Sequence, residues 1–124
     1  MGYKVLKDGV VKVETDTLEQ AFARILNLQG QSFDWALKYE GWNVEHPDGS
    51  YSRKLNKTQL DILTRCRSAK NTEPISRNID MFQMELDEHM DPKNVGNQDR
   101  MRVLSQYLEV FRIALRERGA ISTT

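Results

Sequence analysis

Apolar residues recur at two different periods along the chain, and the change of period divides it. Between Tyr3 and Glu14 (YKVLKDGVVKVE), β-branched and aromatic residues stand on either side of Asp8-Gly9, the pattern of a β-hairpin at 3–14. A two-residue Asp-Gly loop would set Val5 opposite Lys12 and mix charge with apolar groups on both faces. A three-residue loop of Lys7, Asp8 and Gly9, with Gly9 as a left-handed bulge, pairs Val5 with Val11 and Tyr3 with Val13 on one apolar face. The bulged form is therefore expected, with Lys4 and Lys12 on the outer face. A lone hairpin is marginal, so it must pack on something.

From Leu18 the period lengthens. Leu18, Ala21, Phe22, Ile25 and Leu26 form one stripe of a helix over 17–29, with Thr17 as N-cap, Gln20 as its capping-box partner and Gly30 beyond the end. Residues 57–69 read as a further helix capped by Asn56 and Gln59, with Leu60, Leu63 and Cys66 or Arg67 inward. Over 73–90, Ile75, Ile79, Phe82 and Leu86 repeat at four, three and four after Thr72 as cap and Pro74 in the first turn. The last helix, Asn97 to Arg118, carries Met101, Leu104, Leu108, Phe111 and Leu115, and Gly119 ends it. These last two helices are expected to pair antiparallel.

The stretch 31–55 holds no clear period. Ser32 could cap a short helix from Phe33 to Glu40, and Trp42 to Val44 with Ser50 to Ser52 could flank a Pro47-Asp48-Gly49 turn as a small hairpin. Five of the ten aromatic residues fall here (Phe33, Trp35, Tyr39, Trp42 and Tyr51), which marks the connector as a lid over the core or a docking patch. The reading is one domain, 1–124, of α+β class and mainly α. An N-terminal β-hairpin is followed by a helix, the connector and a helical bundle at 56–119, with about four to five helices in all.

Composition narrows the function classes. The 18 basic and 18 acidic side chains cancel, so no overall electrostatic grip on nucleic acid or an anionic membrane is advertised. The lone cysteine, Cys66, cannot form an internal disulfide, no apolar run reaches membrane-spanning length, and no signal-peptide core or myristoylation pattern opens the chain. A cytoplasmic protein with no membrane association is expected. The charge is polarised, however. From Arg53 to Arg77 there are seven basic residues against two acidic ones, and from Asp80 to Asp91 five carboxylates with no Lys or Arg.

Catalytic signatures are lacking. His46 and His89 are far apart, Glu85 and His89 alone are too few for a metal site, and Cys66 sits on an apolar side where thiols are commonly inert. No phosphate-binding loop or nucleophile elbow is present. No catalytic residue, metal or cofactor is therefore assigned, and the chain is not expected to be an enzyme.

The first expectation is a small interaction or regulatory protein, of the kind phages and mobile elements encode, that docks on a protein partner through Trp35, Tyr39 and Trp42 with the adjacent Arg53 and Lys54. Tryptophan, tyrosine and arginine dominate binding hot spots. The stripes of the last two helices also suit a homodimer. The alternative is a DNA- or RNA-binding regulator in which 56–90 is a helix-turn-helix-like segment presenting Arg65, Arg67, Lys70, Arg77 and Asn78.

Overall fold

The computed structural model describes residues 2–29, 41–90 and 98–119. The short helix expected at Phe33 to Glu40, with Trp35 and Tyr39, and the connection after Asp91 lie outside them. The class is α+β and mainly α: a three-stranded antiparallel sheet at the N-terminus, then a helical region. The chain divides between Leu55 and Asn56 into two compact units.

In the first unit, β1 (Tyr3–Lys7) and β2 (Val10–Thr15) form the hairpin, and α1 (Leu18–Gln29) packs on them. The turn differs from the three-residue loop expected. Lys7 pairs with Val10, so Asp8 and Gly9 alone make the loop, at φ 49° and 84°. Two positive φ values give the turn whose twist matches that of the strands. The extra residue is displaced into β2. Val5 pairs with Val13 and Leu6 with Val11, leaving Lys12 as the bulge. The bulge does the work assigned to the turn, because it removes the Val5–Lys12 mismatch.

A third strand, β3 (Trp42–Glu45), adds to β1 through Lys4–Glu45, Val5–Val44, Leu6–Asn43 and Lys7–Trp42. Order β2-β1-β3 buries β1 between neighbours. The small hairpin around Pro47 is present. The Ser52 N–H donates to the Val44 carbonyl (2.9 Å) and Tyr51 bridges to Glu45. Val5, Ala21, Ile25, Trp42 and Val44 make the core, with Tyr3, Val13, Leu18 and Phe22 packed against it. Thr17 and Gln20 exchange the capping-box hydrogen bonds at the start of α1. Buried Asn43 ties the sheet to the segment leading out. Its Oδ1 accepts from the Val44 and Arg53 N–H groups and its Nδ2 donates to the Arg53 carbonyl, each at 2.9 Å.

Among the described residues the second unit has three helices: α2 (Lys57–Ser68), α3 (Glu73–Met90) and α4 (Gln98–Glu117). The Asn56/Gln59 capping box starts α2. At the start of α3 the side-chain acceptor is Asn71, which takes the Glu73 N–H at 3.2 Å, not the expected Thr72. Glu85 bonds Arg100 while Phe82 stacks on Tyr107 and Phe111, so α3 and α4 run antiparallel. Leu86, Leu104 and Leu108 are their shared core, with Ile79, Phe82 and Met101 around it. The two stripes that suited a homodimer therefore meet within the chain. Gly119 closes α4 at φ 72°. Among the described residues no helix is long and apolar enough to cross a membrane.

Candidate functional site

α2 and α3 each pack along α4 but hardly touch one another. Two helices leaning on a third and splayed apart leave a cleft between them. Its volume is about 560 Å³. The residue spacing explains it: Gln59 and Leu63 turn into α4, Ile62 and Arg65, a step around the helix, face the gap, and Cys66 is buried where the two sides meet at the cleft wall. From α3 come Ile75, Asn78 and Phe82, and the floor is Tyr107 and Phe111 of α4. Phe82, Tyr107 and Phe111 lie nearly parallel, with centroids 5.3 Å (Phe82–Tyr107), 5.8 Å (Phe82–Phe111) and 6.3 Å (Tyr107–Phe111) apart. The stack gives the cleft an aromatic floor. Thr58, Asp61, Arg65 and Asn78 provide the polar rim.

The walls are braced from outside the cleft. Gln59 Nε2 donates to the Gln106 carbonyl (3.0 Å) and to Glu109 Oε1 (2.9 Å), a buried link from α2 to α4. Arg118 Nη1 donates to the Cys66 and Ala69 carbonyls (2.6 and 2.7 Å), capping the end of α2. Arg67 holds Glu117 by two bonds of 2.9 and 2.8 Å. Burial pushes the Cys66 thiol up from its ordinary pKa, against the opposing pull of the Arg118 charge.

The residues named from the sequence are dispersed. Trp42 is 5% exposed and belongs to the sheet core, with Lys7 Nζ 5.9 Å from its ring centroid. Its side chain is thus enclosed instead of presented to a partner, because β3 completes the sheet. Arg53 is half-buried, donating from Nη2 to the Trp42 carbonyl at 3.3 Å, and Lys54 is exposed. Trp35 and Tyr39 lie outside the described residues.

Of the helix-turn-helix set, Arg65 and Asn78 meet at the cleft. Lys70 is exposed in the α2–α3 turn, and Arg67 and Arg77 are engaged with Glu117 and Glu73. The exposed side of α3 carries Asp80, Asp87 and Glu88, which would oppose a phosphate backbone.

Sequence reasoning missed the cleft. Ile62 gave a signal, an apolar residue off the Leu63/Cys66 stripe. Phe82, Tyr107 and Phe111 gave none, since a stripe flooring a cleft reads like one sealed in a core.

Elsewhere, His46 Nε2 lies 2.8 Å from Ser52 Oγ, the spacing of a base and a nucleophile. Asp48, which could orient the imidazole, instead accepts from the Ser50 N–H (2.9 Å) and hydroxyl (2.6 Å), and those bonds lower its pKa. The arrangement pins the small hairpin. Among the described residues no three His, Cys, Asp or Glu side chains gather as a metal site. Comparisons with protein-family models, with curated proteins and with solved structures return no match.

Proposed function

We propose that this chain is a non-enzymatic docking protein whose α2–α3 cleft receives an amphipathic helix of a protein partner. One observation carries the reading: an apolar cleft of about 560 Å³ with a stacked aromatic floor, between two helices that leave each other's flanks uncovered. A helix laid there takes a fourth position over α4, and its apolar residues at i, i+3 and i+4 meet Ile62, Phe82 and Tyr107. Arg65 stands exposed on the rim with no ion pair among the described residues, so the incoming helix is one that offers a carboxylate at that end. This moves the docking surface from the connector to the helical unit.

The test is a capture from lysate, with and without nuclease, using wild type, Ile62→Glu and Leu60→Glu. Leu60 is exposed on α2 but outside the cleft, so its variant controls for added charge. The reading expects one protein held by wild type and Leu60→Glu and lost from Ile62→Glu. Equal capture by all three removes the cleft from the function. Binding that disappears with nuclease favours the helix-turn-helix reading through Arg65 and Lys70.

A further inference from the structure

Asp61 and Arg65 stand one turn apart on the α2 rim of the cleft, and both are exposed. The spacing is one at which ion pairs form, yet neither side chain has an ion pair among the described residues. Across the gap α3 contributes Ile75, Asn78 and Phe82, and the floor adds Tyr107 and Phe111. Charge on the described rim is therefore confined to α2, negative at Asp61 and positive at Arg65. Lys70, exposed in the turn that closes the Arg65 end, adds to the positive charge there.

Given the docking of an amphipathic helix in this cleft, on which this rests, we infer that the incoming helix runs antiparallel to α2 and carries a carboxylate and, four residues later, a Lys or Arg. The carboxylate meets Arg65 and the cation meets Asp61. Four residues of helix rise about 6 Å, the same on both sides of the contact, so the two pairs form together.

Direction follows from the order in which a helix accepts charge. A carboxylate one turn before a cation suits both the helix's own i,i+4 pairing and its macrodipole, and the reverse order suits neither. Antiparallel to α2, the favoured order sets unlike charges face to face. Parallel to α2, the same helix sets its carboxylate on Asp61 and its cation on Arg65, and like charges oppose it twice. The backbone agrees. Gln59 reaches Glu109 and Arg67 reaches Glu117, so α2 and α4 run in the same direction, and a helix opposed to α2 is also an up-and-down neighbour of α4. Exposed rim pairs contribute little each, so they choose the partner and its direction more than they add strength.

The test uses the full chain and one synthetic peptide, an amphipathic helix with a Leu and Phe stripe and, on the flank beside it, a Glu followed four residues later by a Lys. Fluorescence anisotropy at low salt gives its affinity. Arg65→Glu and Asp61→Lys are each expected to weaken binding about fivefold, with unchanged circular dichroism because both sites are on the surface. A peptide with its Glu replaced by Lys is expected to bind Arg65→Glu to within about twofold of the original pair. A nitroxide on the peptide's N-terminus should broaden the amide resonances of the 69–72 turn, and one on its C-terminus those at 57–58. Binding that Ile62→Glu abolishes but that ignores both charge variants overturns the inference and leaves the docking reading standing, as does broadening at the opposite ends. A peptide that does not bind, or that binds Ile62→Glu equally, overturns the docking reading and the inference with it.

Discussion

Gln59 donates from Nε2 to Glu109 Oε1 at 2.9 Å while its Oε1 accepts the Asn56 N–H at 3.0 Å, so one side chain both caps α2 and fastens it to α4. Glu109 is 1% exposed, and the Gln59 amide supplies one of its donors there. Gln59→Ala is expected to lower stability by about 2–3 kcal/mol, roughly 1 from the cap and the rest from the weakened buried link. Lys57→Ala, exposed on the same turn, is expected to stay within about 0.5 kcal/mol. Urea titration of both variants checks the difference. Equal midpoints would mean that α2 is held without the Gln59 bridge.

What the sequence discloses and what it hides separate along local and non-local lines. Thr17/Gln20 and Asn56/Gln59 announce helix starts because both partners of each box lie within one turn. The Pro47-Asp48-Gly49 turn is equally local. The pairing of Leu6 with Asn43 is not: β3 reaches β1 across α1, and no residue near Trp42 signals that it will join the sheet. The same lack hid the enclosure of Trp42. The displaced bulge is an intermediate case. The pattern demanded one extra residue somewhere between Val5 and Val13, and turn geometry, favouring Asp8-Gly9 at positive φ, decided that it would be Lys12. The cleft is the least legible feature, since it depends on which flanks of α4 its neighbours leave open. Periodicity identifies a buried face but not how far apart two helices lean on it.

The glycines allow conformation and space to be separated. Gly41 and Gly49 both have positive φ, 77° and 87°. A Cβ on Gly49 meets nothing within 4 Å, whereas one on Gly41 would stand 2.0 Å from Asp8 Oδ1, in the corner where the Asp8 N–H donates to the Gly41 carbonyl at 2.9 Å. Gly49→Ala should cost about 1 kcal/mol, the backbone term alone. Gly41→Ala should cost a further 1–3 kcal/mol, as a buried carboxylate has to move. Denaturation midpoints of the two variants decide it; similar losses would show that Asp8 yields freely.

Acid should weaken the helical unit through two carboxylates. Bonds from Arg100, with a smaller contribution from His89, hold Glu85 below the usual carboxylate range, and bonds from Arg67 do the same for Glu117. Both folded pKa values are depressed. Their stabilisation is therefore present above the unfolded glutamate pKa of about 4.3 and is lost as pH falls through the lower folded values. Urea midpoints should fall between pH 5 and 3, and Glu85→Gln/Glu117→Gln should show a shallower fall over that interval. An unchanged slope would place the acid sensitivity in other groups. Added salt should reduce the effect, because both pairs are partly exposed.

Cys66 offers a readout of the cleft and of the α2–α4 contact. The thiol lies at the cleft wall yet is buried, and burial raises its pKa, so both access and thiolate fraction are low at neutral pH. Labelling by a maleimide should then be slow and limited by opening of α2 from α4. Gln59→Ala removes a link that resists that opening, so it should speed labelling by about the factor its stability loss implies, tenfold for each 1.4 kcal/mol or so, where opening and closing outpace reaction. An amphipathic helix seated between Ile62 and Phe82 would cover the same wall and slow labelling, while leaving the rate in denaturant unchanged. Fast labelling of the wild type would mean that α2 leaves α4 readily. A rate that ignores both Gln59→Ala and an added partner helix would mean that the thiol is reached by a path other than the cleft.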